Sequence, residues 1–171
     1  MTIESFTSGV LPLRDKLYRY AKRIVGDPDQ AKDIVQETML KVWEKKKEAS
    51  KIQNLEAWCM TVTRNNALAR FRLKEYHNAQ LEVADGFKDN ARTPFEILES
   101  NEVSQQFDSI VGQLPPKIKE VFQLREVECF SYKEISDITG YEISDVKVCI
   151  FRARKLIKEK LLKIYDYAKN G

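Results

Sequence analysis

The chain has 171 residues, of which 43% are hydrophobic and 32% charged, with a net charge of +3. This length suits one domain or two small ones with modest cores, and the small net charge excludes a basic tail that coats any polyanion; function must come from where the charges lie. Six glycines and five prolines are too few for an all-β chain full of tight turns, and no apolar run nears the ~20 residues needed to cross a bilayer.

In chain order, Leu13, Leu17, Tyr20, Ala21 and Ile24 recur at helical spacing and form the first stripe. The stretch GDPDQAKD then supplies a helix start. Asp27 can cap, Pro28 suits the first helical position, and Gln30 stands where a capping-box partner would. The helix that follows is predicted to bury Ile34, Val35, Thr38, Met39, Val42 and Trp43, and to end in the lysine-rich EKKKEASK, which suits a helix C-terminus and a loop. Asn54 can cap a further helix carrying Leu55, Trp58, Cys59, Val62 and Leu68, with Trp58 expected in the core.

From Ala79 to Pro94 the periodicity fails. AQLEVADGFKDNARTP is polar and holds Gly86 and Pro94, which reads as a linker. A helical pattern resumes with Phe95, Ile97, Leu98, Val103, Phe107 and Ile110. Pro115 and Pro116 open another helix, whose stripe is Ile118, Val121, Phe122 and Leu124. Ser131 and Glu134 make a capping box at the start of SYKEISDIT, and Gly140 stops that helix in a left-handed conformation. Ser144 is expected to cap the last helix, with Ile143 and Val148 as a hydrophobic staple. Two helices joined by a brief glycine turn make a helix-turn-helix, whose second helix enters a DNA major groove.

On that second helix Val146, Ile150, Ala153 and Ile157 share one face. Lys147, Phe151 and Arg154 fall on another, with Arg152 beside them and Lys155, Lys158 and Lys160 following. Bunched cations on one helix suit phosphate contacts, although a charge run also serves as a plain solvated face. Asp145 at the helix start is read as a partner for the helix dipole. The fold class expected is all-α: two small helical domains joined by a flexible linker, with boundaries at 1–84, 85–103 and 104–171.

The odd count of Cys59, Cys129 and Cys149, without a Cys-x-x-Cys pair, predicts free thiols in a reducing cytosol rather than disulfides or zinc. The start MTIESFTSGV lacks the basic and apolar regions of a signal peptide, so a cytoplasmic location is expected. The only histidine is His77, and there is no metal-ligand array, phosphate-binding glycine loop or nucleophile elbow. An enzyme, a cofactor, a metal and a small-molecule substrate are therefore not expected.

The blocks LYRYAKRIVGDPDQAKDIVQETMLKVWE and NLEAWCMTVTRNNALARFR, followed by a polar linker and SYKEISDITGYEISDVKVCIFRARK, resemble one family. The chain is similar to the small sigma factors of the extracytoplasmic-function group, in the sigma-70 family of bacterial RNA polymerase sigma factors. The resemblance covers roughly residues 10–84 and 104–163. It implies a protein without catalytic chemistry that binds core RNA polymerase, directs it to a promoter and helps to open the DNA. The first block resembles domain two, which docks on the polymerase clamp helices and captures the minus-ten element. The last resembles domain four, which binds the polymerase flap and reads the minus-thirty-five element. An anti-sigma factor is a further partner that the family implies.

Residue by residue, the resemblance places Asp33, Gln36 and Glu37, with Leu40 and Trp43 beside them, on the polymerase-docking helix. On the residues alone, those acids serve equally well as partners of the helix dipole. Asn65 matches the position beside the flipped minus-ten base, where an amide offers both donor and acceptor; alone, it reads as a solvent-facing polar residue. Arg64, Asn66, Arg70, Arg72 and Lys74 cluster around it and suit a single-strand backbone. In the last helix Ser144, Lys147, Val148, Phe151 and Arg152 match DNA-facing positions, with Arg154 and Lys155 near phosphate. Many members carry a small polar residue and a cation where this chain has Val148 and Cys149, which predicts a salt slope lower by about one. Leu114, Val121, Phe122 and Leu124 are expected to divide between core and flap contact. The competing reading is a stand-alone helix-turn-helix regulator, and a helical adaptor without DNA is a third.

Overall fold

The computed structural model describes residues 2–81 and 102–170. Among them all regular structure is helical, arranged in two compact units, one from the N-terminal and one from the C-terminal elements. The linker expected over 85–103 lies outside the described residues, apart from positions 102 and 103, which already belong to a helix. The expected apolar positions Phe95, Ile97 and Leu98 lie outside them too.

The N-terminal unit comprises α1 (Ile3–Gly9), a 3-10 turn (Leu11–Leu13), α2 (Arg14–Val25), α3 (Pro28–Glu44), α4 (Lys46–Ala49) and α5 (Leu55–Leu81). Helices α2, α3 and α5 pack on one another in all three pairings. Leu17, Tyr20, Ile34 and Met60 are fully buried among them. Burial of one such side chain stabilises by about 1.5–3 kcal/mol. Ala21, Val25, Ala31, Ile34 and Ala67 form one cluster, and the alanines let the three backbones approach closely. The buried Thr38 donates to the Ile34 carbonyl at 2.8 Å and meets the buried Thr63 hydroxyl at 3.2 Å, so neither polar group is left unpaired.

The helix boundaries follow local chemistry. Gly26 ends α2 at φ 73°, where a side chain would be strained. Asp27 then accepts from the amides of Asp29 and Gln30, both at 2.9 Å, and opens α3 with Pro28 behind it. Asn54 accepts from the Ala57 amide at 2.9 Å, as expected for a cap of α5. Two expectations are corrected. EKKKEASK is not simply a loop: Lys46–Ala49 forms a one-turn helix held by the buried Ala49. And α5 runs on through Leu81, because Ala79, Gln80 and Leu81 are good helix formers. Cys59 lies in the core, where burial, with Glu56 adding to it, pushes the thiol up to about 12 and keeps it neutral.

The C-terminal unit comprises α6 (Glu102–Gly112), α7 (Pro116–Phe122), a π turn (Gln123–Val127), α8 (Tyr132–Thr139) and α9 (Ile143–Asn170). Ile110, Val111, Leu114, Phe122, Ala153 and Ile157 form its core, with α9 packed on α6 and α7. The π turn was not legible in the sequence. It leads to Cys129 at φ 62°, and the bend is stitched by Phe130 N–H to the Leu124 carbonyl at 3.0 Å and Arg125 to the Phe130 carbonyl at 2.9 Å. The expected capping box is present: Ser131 N–H donates to Glu134 at 2.7 Å, and Glu134 N–H donates to Ser131 Oγ at 3.2 Å. Ser131→Ala is expected to lower the stability of this unit by about 1 kcal/mol. A chemical denaturation midpoint equal to wild type would refute that.

Candidate nucleic-acid interface

The turn between α8 and α9 is fixed from several sides. Gly140 adopts φ 75° at the end of α8, which a residue with a Cβ would resist. Ser136 Oγ donates to the Tyr141 carbonyl at 2.6 Å, and the Tyr141 hydroxyl donates to Glu120 at 3.1 Å. Lys117 lies 4.5 Å from the centre of the Tyr141 ring and donates to Asp145 at 2.8 Å. That hydrogen bond holds the Lys117 ammonium above its usual range. Asp145 thus ties α9 to α7, a more specific role than dipole partner.

With the turn fixed, α9 presents two faces. Val146, Cys149, Ile150, Ala153 and Ile157 are buried. Ser144, Lys147, Val148, Phe151 and Arg152 are exposed, in a stripe at steps of three and four. Phe151 is 69% exposed, an unusual position for a ring with nothing to cover it. The end of the helix is corrected. It begins at Ile143, with Val146 N–H bonded to the Glu142 carbonyl at 3.0 Å, so Ser144 lies inside the first turn and is not the cap. Ile143 is the first residue of the helix and no longer precedes the cap, so it and Val148 do not hold staple positions; Val148 belongs to the outward stripe instead.

Two of the expected phosphate ligands have partners within the chain. Arg154 donates to Glu126 through Nε at 3.1 Å and Nη2 at 2.6 Å, which raises its pKa further. Lys155 lies 4.0 Å from Glu159, one turn on. Lys147 and Arg152 stand exposed and outside these pairs.

In the N-terminal unit the buried side of α5 includes Cys59, Met60, Thr63 and Ala67. Asn65 and Arg72 are exposed, and Arg64, Asn66, Arg70 and Lys74 are half-buried. Trp58, expected in the core, is only half-buried, because Ala57, Cys59 and Met60 take the inward positions. The reading of the sequence missed Phe71, Leu73 and Tyr76, which are 37%, 60% and 62% exposed among these cations. The alternation of rings and cations in FRLKEY was the available signal, since bases stack on exposed rings. His77 is exposed beside Tyr76, with ring centres 6.1 Å apart.

On α3, Asp33, Gln36, Glu37 and Leu40 are exposed on a common side, with Leu40 at 60%. Trp43 differs. It is half-buried, with the Phe6 ring nearly perpendicular at 5.4 Å between ring centres and Lys46 Nζ 4.6 Å from the centre of its ring. The packing also joins two sets that the sequence kept separate. Arg70 of α5, placed with the DNA-facing cations, pairs with Asp33 at 3.6 Å and with Glu37.

In the C-terminal unit Leu114, Val121, Phe122 and Leu124 are all buried and serve the core. Only Phe122 among them also reaches an open apolar groove, where Phe107, Ile157, Leu161, Leu162 and Tyr165 line the walls, with Gln106, Lys158 and the Glu126–Arg154 pair at the edge. Among the described residues, no helix is long and apolar enough to cross a membrane.

Comparison with known proteins supplies the family. Residues 10–75 match the family Sigma-70 region 2, and residues 104–157 match Sigma-70, region 4. The chain is 27% identical over 156 residues to the ECF RNA polymerase sigma factor SigE of Mycolicibacterium smegmatis, covering 87% of this chain and 58% of that protein. It is 30% identical over 137 residues to the ECF RNA polymerase sigma factor SigL of Mycobacterium tuberculosis, covering 77% of this chain and 74% of that one. The sigma factor RpoE of Bartonella quintana, solved in complex with the anti-sigma factor NepR, superposes with a TM-score of 0.76 at 26% identity, over 93% of this chain and 98% of that one. The chain therefore belongs to the extracytoplasmic-function sigma factors of the sigma-70 family.

Proposed function

We propose that this protein binds core RNA polymerase and directs promoter-specific initiation, reading one promoter element with each helical unit. The observation that carries this reading is the exposed stripe of α9, in which Lys147 and Arg152 flank Val148 and Phe151 on a rigidly held helix-turn-helix. Cations there neutralise phosphates, and the two apolar groups suit the methyl edge of a thymine in the major groove. Ser144 joins this set, while Arg154 and Lys155 stand at its edge beside their own acidic partners. Residues 104–171 would thus form the minus-thirty-five reader.

Residues 1–84 would bind the polymerase clamp and the minus-ten element, with 85–103 as the connection. Arg64, Asn65, Asn66, Arg72 and Lys74 offer a cationic track with an exposed amide, and Phe71 and Tyr76 add stacking surfaces. Asp33, Gln36, Glu37 and Leu40 form a small acidic and apolar face that complements a basic helix pair. Trp43, three positions on from Leu40, packs against Phe6. The groove beside Phe107 and Phe122 suits an apolar helix, as the polymerase flap would supply. An anti-sigma factor would be a natural competitor for these surfaces; the Bartonella quintana sigma factor was solved in complex with one. The protein would act in the cytoplasm, without catalytic chemistry or a cofactor of its own.

The deciding experiment is run-off transcription with purified core polymerase, this protein and a pool of promoter fragments from its own genome. Specific initiated transcripts are the expected result. Salt-sensitive DNA binding without transcripts would mean a stand-alone regulator instead.

A further inference from the structure

Asp33 and Glu37 stand one turn apart on α3, where two carboxylates repel. Arg70 reaches them from α5. Its Nη1 lies 3.6 Å from Asp33 Oδ2, and its Nη2 donates to Glu37 Oε1. The order of burial is informative. The Arg70 side chain is 27% exposed, whereas Asp33 and Glu37 are 62% and 49% exposed. The cation is the inner member of the trio, and the acids are the outer ones. With most of its side chain covered, turning to a phosphate would break both pairs.

We propose that Arg70 is a positioning residue of the polymerase-docking face and not a DNA contact: it holds the Asp33 and Glu37 carboxylates side by side, aimed outward at a basic partner helix. The inference rests on the docking role assigned above to those two acids. Each carboxylate keeps an oxygen free of Arg70, so the same acids serve Arg70 from within and the partner from outside. Without the guanidinium the acids would repel one another and spread over several rotamers, and the partner would have to order them on binding.

The test uses the full chain and two readouts: affinity for core polymerase, and the salt dependence of binding to a fluorescent single-stranded oligonucleotide. Arg70→Gln is expected to weaken polymerase binding roughly three- to tenfold, the range that one or two exposed ion pairs carry. Oligonucleotide affinity and its salt slope are expected to stay as in wild type. Arg70→Lys should recover part of the polymerase affinity, and Arg70→Gln should have no further effect in an Asp33→Asn/Glu37→Gln background. A salt slope lower by about 0.7 in Arg70→Gln, with polymerase affinity unchanged, would make Arg70 a phosphate ligand and overturn the proposal. An equal loss of polymerase affinity in the neutralised background would overturn it as well. Asp33→Asn/Glu37→Gln alone keeps the question open to refutation if Arg70→Gln fails to fold. That double variant is expected to lose polymerase affinity at least as far as Arg70→Gln, and wild-type affinity in it would overturn the proposal. A wild-type chain that binds no polymerase at all would instead remove the docking reading, and this inference with it.

Discussion

Glu37→Arg is expected to weaken binding to core polymerase by about 30- to 100-fold. Glu37 is half exposed on α3, between Asp33 and Leu40 on the face proposed to meet a basic helix pair. Charge reversal there removes an attraction and adds a repulsion, and close interfacial charge pairs couple by about 1.5–7 kcal/mol. Each 1.4 kcal/mol is roughly tenfold, so a loss of about 2–3 kcal/mol gives the stated range. The new guanidinium would also face Arg70, which now bonds Glu37 from within. The disturbance should stay local, because the core contacts of α3 come from Ala31, Ile34, Val35, Thr38 and Val42 on the opposite side. Titration of labelled protein with core polymerase measures the effect, with circular dichroism confirming the helices. Affinity within a factor of about two of wild type would refute the assignment of this face.

Asn65→Ala is expected to reduce promoter opening by roughly ten- to a hundredfold while leaving polymerase binding intact. Asn65 is exposed on α5, next to Arg64 and Asn66 and on the side away from buried Thr63 and Ala67. An amide that pairs with an unstacked base is worth about 1–3 kcal/mol of discrimination. Alanine keeps the helix and removes only that pairing, so stability should change by no more than about 0.5 kcal/mol. Permanganate reactivity of thymines around the minus-ten element reports the melted bubble. Normal reactivity with the variant would exclude Asn65 from base capture. Together the two substitutions separate docking from melting, because they sit on different helices of one unit.

Much of the fold was legible because its signals are local. The cap at Asp27, the box between Ser131 and Glu134 and the left-handed Gly140 each involve residues within one turn, and all three stand as the sequence implied. The stripe Val146, Ile150, Ala153 and Ile157 is buried as its spacing required. The failures are of two kinds. Helix ends moved by a residue or a few, as at Ile143 and Leu81, since a frayed end has little energy to fix it. The π turn and the left-handed Cys129 were invisible, because no short-range pattern encodes them.

The sequence by itself determined an all-helical chain, the helix-turn-helix, and which stripe of α9 is buried. It determined these because hydrophobic period and capping chemistry act over three or four residues. Only the tertiary structure decided which charges are occupied. Arg70 meets Glu37 across 33 positions, and Arg154 meets Glu126 across 28, through the packing of α3 against α5 and the approach of α9 to the π turn. An arginine reads the same in sequence whether it faces a phosphate or a carboxylate. The partner is chosen by which helices the core brings together, and that choice separates Lys147 and Arg152 from Arg154 and Arg70.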